Sequence, residues 1–381
     1  MAKRKRVGLI LLENKEWIAG IYLMLNIIKA LDTVDKKLKP TIVIIAESKE
    51  RFEIFKEETK YPYLEFYQYP EKIIKKYPNT LYGKVSKKLS RSKKELKVDF
   101  IYPRPLNNLA INSPEVHWIP DFQEVYLPQF FSEVELKERK VYQQKVADEA
   151  SLIVFSSRDS YNDFQRLYPK AKSRTFILPF AVIHPDITVM KIDELRKKYG
   201  LPKRYFLLPN QFWAHKNHIT VLRAAKLLKE KNKDFMIAMT GSKDDYRNKD
   251  VFGDLHRYIE ENNLENNIKS LGFIPRLEQL CLFKNAIAII QPSLFEGWST
   301  VVEDAKALKK FLVLSDIDVH REQIKENAIF FDPLDEVDLK SKLSLFLVND
   351  PNIVEIDYQN NIRGFGERIV ELIDLLTESK Q

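Results

Sequence analysis

Short runs rich in β-branched residues alternate with longer helical patterns along this chain, and midway the alternation starts again. In the first half the runs are VGLILL (7–12), TIVIIA (41–46), DFIYP (99–103), EVHWIP (115–120), SLIVFSS (151–157) and RTFILPF (174–180). Helical patterns such as 18–31 and 132–150 lie between them. In the second half YFLLPN (205–210), DFMIAMTG (234–241), IKSLGF (268–273), AIAIIQPS (286–293), FLVLSD (311–316) and AIFFD (328–332) repeat the theme, with helices from His218 and around Leu255. Parallel strands joined by crossover helices have this signature. Two doubly wound α/β domains are therefore expected. The break falls in LPFAVIHPD (178–186), which gives domains 1–180 and 187–358; a final amphipathic helix over 359–381, with Ile362, Phe365, Ile369, Leu372 and Leu376 on one stripe, packs back on the first. Two such sheets leave a cleft at the carboxyl ends of their strands, where ligands bind.

Composition excludes several classes. The chain has 381 residues, with ten glycines and one cysteine. Cys281 has no partner for a disulfide or a C-x-x-C zinc site, which makes a reducing cytoplasm the expected compartment. No G-x-G-x-x-G, Walker loop, H-E-x-x-H or G-x-S-x-G passes through the glycines and histidines present. No transmembrane run of 18 apolar residues is seen. The apolar start 7–12 is too short for a signal peptide and reads as a first strand.

The net charge of +8 is regional. Residues 72–97 hold ten basic side chains and one acid, Glu95, interleaved with Ile73, Ile74, Tyr77, Leu81, Tyr82, Val85 and Leu89. Two readings stand for this run: contact with an anionic membrane surface, making the protein peripheral at the inner face of the plasma membrane, or a solvated face. Nucleic acid is not expected as a partner, since no recognition module accompanies the charge. Lys3, Arg4, Lys5 and Arg6 form a second basic cluster.

The segment 289–310, IIQPSLFEGWSTVVEDAKALKK, carries the most chemistry. A strand ends at Pro292, a polar loop follows, and Ser299 and Thr300 open a helix. Unpaired N–H groups at a helix start suit a phosphate. Glu296 and Glu303 flank that point, where Glu303 is either a sugar-hydroxyl ligand or an ordinary first-turn acid complementing the dipole.

The stretch LGFIPRLEQLCLFKNAIAIIQPSLFEGWSTVVEDAKAL (271–308) resembles the nucleotide-sugar-binding half of glycosyltransferase family 4, the group 1 glycosyltransferases of GT-B fold. LLPNQFWAHKNHITVLRAA (207–225) and HWIPDFQEVYLPQFF (117–131) extend the likeness over most of the chain. The resemblance implies a retaining glycosyltransferase that takes a nucleoside-diphosphate sugar as donor and a glycan or lipid-linked acceptor, in cell-surface polysaccharide or glycoconjugate synthesis, without cofactor or metal. By the same resemblance Lys216 neutralises the leaving diphosphate, the N–H groups of Ser299, Thr300 and Val301 meet it, and Glu303 holds the ribose. Glu296 lies near the donor sugar, Asp121 on the acceptor side, and Gly20, in the loop after the first strand, beside the diphosphate. Gln211, Gly241 and Arg276 complete the donor side, Arg276 near the base.

Three departures stand out. The family's commoner glutamate pair has seven intervening residues, where Glu296 and Glu303 have six. Gln211 occupies the place of an arginine, and a neutral amide brings no charge to phosphate. Glu124 occupies the place of a family histidine, for which His117 is the candidate substitute and a packed strand histidine the alternative. A phosphorylase or epimerase of similar fold, and a non-catalytic nucleotide- or glycan-binding subunit, remain as alternatives. His215 and His218 beside Lys216, Asp316 and Asp318, and Trp17, Trp118, Trp213 and Trp298 are weighed respectively as metal ligands and ligand-stacking groups against polar lining, turn acids and partial core.

Overall fold

In a computed structural model the described residues are 4–11, 18–46, 48–68, 96–103, 113–114, 116–231 and 234–377. Trp17 and nearly all of the basic run 72–97 lie outside them.

The first domain carries parallel strands β1 (Arg6–Ile10), β2 (Thr41–Ala46), β3 (Leu64–Gln68) and β4 (Phe100–Tyr102) in the order β3-β2-β1-β4. Strands β5 (Val116–Ile119), β6 (Leu152–Phe155) and β7 (Arg174–Ile177) continue beside β4. Every residue of β2 and β6 is buried, as parallel strands covered on both faces require. Strand β3, absent from the sequence expectations, is half-exposed at the sheet edge, where Glu65 and Gln68 interrupt its apolar residues. The helices that matter here are α1 (Ile18–Leu31), α2 (Lys49–Thr59), α3 (Glu133–Glu149) and α4 (Arg158–Leu167).

The second domain is one parallel sheet in the order β10-β9-β8-β11-β12-β13, built from β8 (Phe206–Leu208), β9 (Ile237–Thr240), β10 (Ile268–Gly272), β11 (Ile289–Gln291), β12 (Leu312–Ser315) and β13 (Ala328–Phe331). Its helices are α5 (Ile192–Tyr199), α6 (His218–Lys231), α7 (Val251–Glu261), α8 (Arg276–Asn285), α9 (Thr300–Leu308), α10 (Asp318–Gln323) and α11 (Glu336–Ser344). Strand order reverses between β8 and β11, and the helices that follow them, α6 and α9, cover opposite faces of the sheet. A crevice opens at that switch point in any doubly wound sheet.

The chain crosses between domains twice. Leu178, Ala181 and Val182 of the linker are buried, and α12 (Gln359–Thr377) returns to the first domain with Ile362, Phe365, Ile369, Leu372, Ile373 and Leu376 in the core of β1, β2 and α1. Part of the N-terminal basic cluster is absorbed by packing. Arg6 makes two 2.7 Å bonds to Glu65, Lys5 pairs with Asp374, and the Arg4 guanidinium lies 3.6 Å from the Tyr63 ring centroid.

Candidate active site

The loops after β8 and β11 meet at the switch point. A single helical turn, Ala214–Lys216, follows β8, and the Lys216 ammonium sits 2.6 Å from Glu296 Oε1 in the loop after β11. Gln291, the last residue of β11, donates to the same oxygen at 2.8 Å and accepts from Asn210 at 2.6 Å. Burial pushes the Glu296 carboxyl up, but the Lys216 ammonium outweighs it and holds the group down to about 2. His215 itself is driven to about 3 by burial and by Lys216, and burial with Lys216 likewise drives His218, stacked on Phe212 at 4.7 Å, to about 3. Both imidazoles are neutral. Among the described residues no three His, Cys, Asp or Glu side chains gather as a metal site.

Glycine appears where backbone must meet backbone. A Cβ on Gly297 would lie 2.4 Å from Pro120 O and 2.9 Å from Asp121 Cβ, so this glycine brings the donor loop against the first domain. Asp121 thereby faces Glu296 across the cleft. Burial raises the Asp121 carboxyl above its ordinary value; the Gln123 N–H at 3.1 Å and Arg139 oppose this, while Glu124 and Glu296 add to it. Gly241 allows a similar approach at the end of β9, where a Cβ would fall 2.0 Å from Asn210 O and 2.8 Å from Gln211 Cα.

Helix α9 begins at this point, but not all expected contacts hold. Ser299 N–H does not point to an empty site: it donates to Gln323 Oε1 at 2.8 Å, while Gln323 Nε2 donates back to Ser299 O at 3.0 Å. Thr300 and Val301 are the first two helical residues, whose N–H groups have no intrahelical acceptor. Glu303 is turned toward the linker and α12. Its carboxylate accepts from Tyr358 at 2.6 Å, Lys306 at 2.8 Å and Gln323 at 3.2 Å, and only 1% of the residue is exposed.

The next residue takes the other side. Asp304 binds Arg276 through both oxygens, at 2.5 and 2.7 Å, and lies 2.7 Å from His184 Nε2. Arg276 starts α8 just after the Gly272 turn, with its guanidinium 5.7 Å from the ring centroid of Tyr22 in α1. Burial raises the Asp304 carboxyl, yet Arg276 and His184 outweigh it and hold it below the usual range. Glu296 and Asp304 are separated by seven residues, the commoner spacing of the family pair. That count is legible in the sequence, where Glu303 stands beside Asp304.

The remaining candidates divide clearly. Gly20 is a buried residue of α1 rather than of a loop. His117 is a packed strand histidine, 3.3 Å from the Tyr142 hydroxyl, and Glu124 is tied to Gln143 at 2.6 Å and Arg139 at 3.3 Å. Trp118 donates to Ser156, Trp213 to Asp244 O and Trp298 to Phe180 O. Asp316 is gripped twice at 2.7 Å by Arg321. Arg247, in the loop after β9, was not anticipated. It reaches Gln123 at 3.3 Å and stacks over Phe131 of the first domain at 4.4 Å.

A family model described as glycosyl transferases group 1 matches residues 191–363, the span that contains Lys216, Glu296 and Asp304. The second domain is what resembles the group 1 glycosyl transferases. The O-antigen chain mannosyltransferase RfbU of Salmonella typhimurium is 24% identical over 156 residues, which is 41% of this chain and 41% of that relative. Among solved structures, Anabaena HepE in complex with UDP and glucose matches with a TM-score of 0.65 at 16% identity, over 98% of this chain and 95% of that one. Sucrose-phosphate synthase from Thermosynechococcus elongatus matches with a TM-score of 0.59 at 15% identity, over 98% and 95%. At these identities the two structures establish the fold alone, GT-B with two Rossmann-like domains. Among its described residues no helix is long and apolar enough to cross a membrane.

Proposed function

We propose that this chain transfers a sugar from a nucleoside-diphosphate donor to a hydroxyl of a glycan or lipid-linked acceptor, with retention of configuration, in cell-surface polysaccharide synthesis. The names of the relatives support that reading: one is an O-antigen mannosyltransferase and another was solved with UDP and glucose. The observation that carries it is the Lys216–Glu296 pair, 2.6 Å long, beside the first turn of α9 at the switch point.

The parts suit departure of a diphosphate. Lys216 and the N–H groups of Thr300 and Val301 supply fixed positive charge where the leaving group gains negative charge, which favours the transition state over the ground state. Glu296 keeps the ammonium aimed into the crevice. Asp304, ionised and only 2% exposed, fixes the Arg276 guanidinium on the donor side near the base, and Gln211 and Gly241 border the phosphates. Asp121 approaches from the first domain and orients the acceptor hydroxyl. Nothing in this scheme uses a metal.

The test is a melting-temperature screen with UDP, GDP, dTDP and ADP in the presence of a chelator. One nucleotide raises the transition, and Asp304→Ala abolishes that rise. Unchanged melting with all four nucleotides overturns the donor site. In turnover, Lys216→Ala costs far more than Gln211→Ala; equal small losses would favour a non-catalytic binding subunit.

A further inference from the structure

Helix α10 touches both halves of the molecule with consecutive residues. Glu322 reaches the first domain, where its carboxylate accepts the N–H of Arg158 at 2.7 Å and that of Asp159 at 3.0 Å. These are the first two residues of α4; the next N–H, on Ser160, goes to the cap residue Ser157 at 3.0 Å. The opening N–H groups of a helix lack intrahelical acceptors and carry the positive end of its dipole. A carboxylate from the other domain therefore completes the cap of α4.

Gln323 faces the opposite way. Its amide holds both the N–H and the carbonyl of Ser299, at 2.8 and 3.0 Å, and also reaches Glu303 at 3.2 Å. Buried Val319 and His320, the latter with Nδ1 2.9 Å from Ser315 O, fix α10 to the end of β12. The helix that grips α4 thus also grips the peptide that starts α9.

Like charges around Glu322 oppose this grip. Asp159 and Asp163 on α4 and Asp318 on α10 are like charges in the same contact. The nearby cations are engaged: Arg166 binds Asp163 at 3.1 Å, Arg321 binds Asp316, and Arg158 lies over the Tyr161 ring. Attraction to the helix start is opposed by three carboxylates.

We propose that Glu322 is a positioning residue, an interdomain latch that holds the first domain closed on the second and, through Gln323, couples closure to the start of α9. The coupling half rests on the donor site proposed above; the latch itself is readable without any ligand.

Small-angle scattering of the full chain, ligand-free at pH 7.5, tests it. Glu322→Ala and Glu322→Gln should both show a larger radius of gyration than the parent, and Asp159→Asn, which removes one repulsion, a smaller one. Glu322→Gln keeps the side-chain volume and carries the comparison should the alanine variant fail to fold. With whichever of UDP, GDP, dTDP or ADP raises the parent's melting transition, the parent compacts, while Glu322→Gln and Gln323→Ala do not compact and bind the same nucleotide about fivefold more weakly, at the lower end of usual coupling. Identical radii for parent and Glu322 variants overturn the latch. If none of UDP, GDP, dTDP and ADP binds the parent, the donor reading fails while the ligand-free comparison still decides the latch.

Discussion

Replacing Lys216 isolates the energetics of the site. In the parent, Glu296 is held at about 2 instead of its ordinary 4.5. At about 1.4 kcal/mol per pH unit, that difference is worth about 3 kcal/mol of folding stability at neutral pH. The sign follows from the depressed value: the contribution is complete above about 4.5 and lost as pH falls through about 2. In Lys216→Ala the stabilising charge is gone, and only hydrogen bonds from Gln291 and Ser293 oppose burial at Glu296, whose side chain is only 10% exposed. Breaking a buried pair by removing one partner costs about 3–5 kcal/mol, the same range by an independent route. For a domain of this size about 3 kcal/mol corresponds to a fall of roughly 6–12 °C in melting temperature. Thermal and urea unfolding of Lys216→Ala, Glu296→Gln and the double variant measure it. The double variant should be more stable than Lys216→Ala, because the stranded charge has been removed, and the gap between parent and Lys216→Ala should narrow from pH 7 to pH 4 as Glu296 takes up a proton. A loss under about 1 kcal/mol, with additive single effects and no pH dependence, would refute the argument.

Other outcomes follow from the same geometry. Glu303→Ala should lower stability by about 2 kcal/mol, since it strands Lys306 and the Tyr358 hydroxyl, yet leave the nucleotide-induced melting shift in place; Asp304→Ala should do away with the shift. Gly297→Ala puts a methyl 2.4 Å from Pro120 O, so transfer should fall by more than about tenfold while nucleotide affinity, set within the second domain, changes less than about threefold. Burial, then Asp163, Asp318 and Glu322, raise Asp159 to about 6 in the closed form, with Arg158, Arg166 and Arg321 the cations nearby. The closed form therefore binds this proton more tightly, and scattering should show the molecule most compact below pH 6 and loosening as pH rises through it, with Asp159→Asn insensitive.

The alternation of buried strands and crossover helices is a local property, and the sequence alone supports two doubly wound domains, the break near 178–186 and the strand, loop and helix start of 289–310. Strand β3 escaped because an edge strand with Glu65 and Gln68 has no clean apolar run. His117 shows the same limit: a residue type near a motif does not tell which way its side chain points. The choice between Glu303 and Asp304 is of this kind. Adjacent residues on a helix diverge by about 100°, so one carboxylate meets Arg276 and the other Tyr358. Residue order and periodicity settle which elements form, because hydrophobic burial and backbone geometry act over a few residues. Only the tertiary structure brings Lys216 to Glu296 across 80 residues, Glu322 to α4 across 164 and Asp121 to Gly297, because charge pairing and close backbone approach depend on distances that strand order and domain closure set.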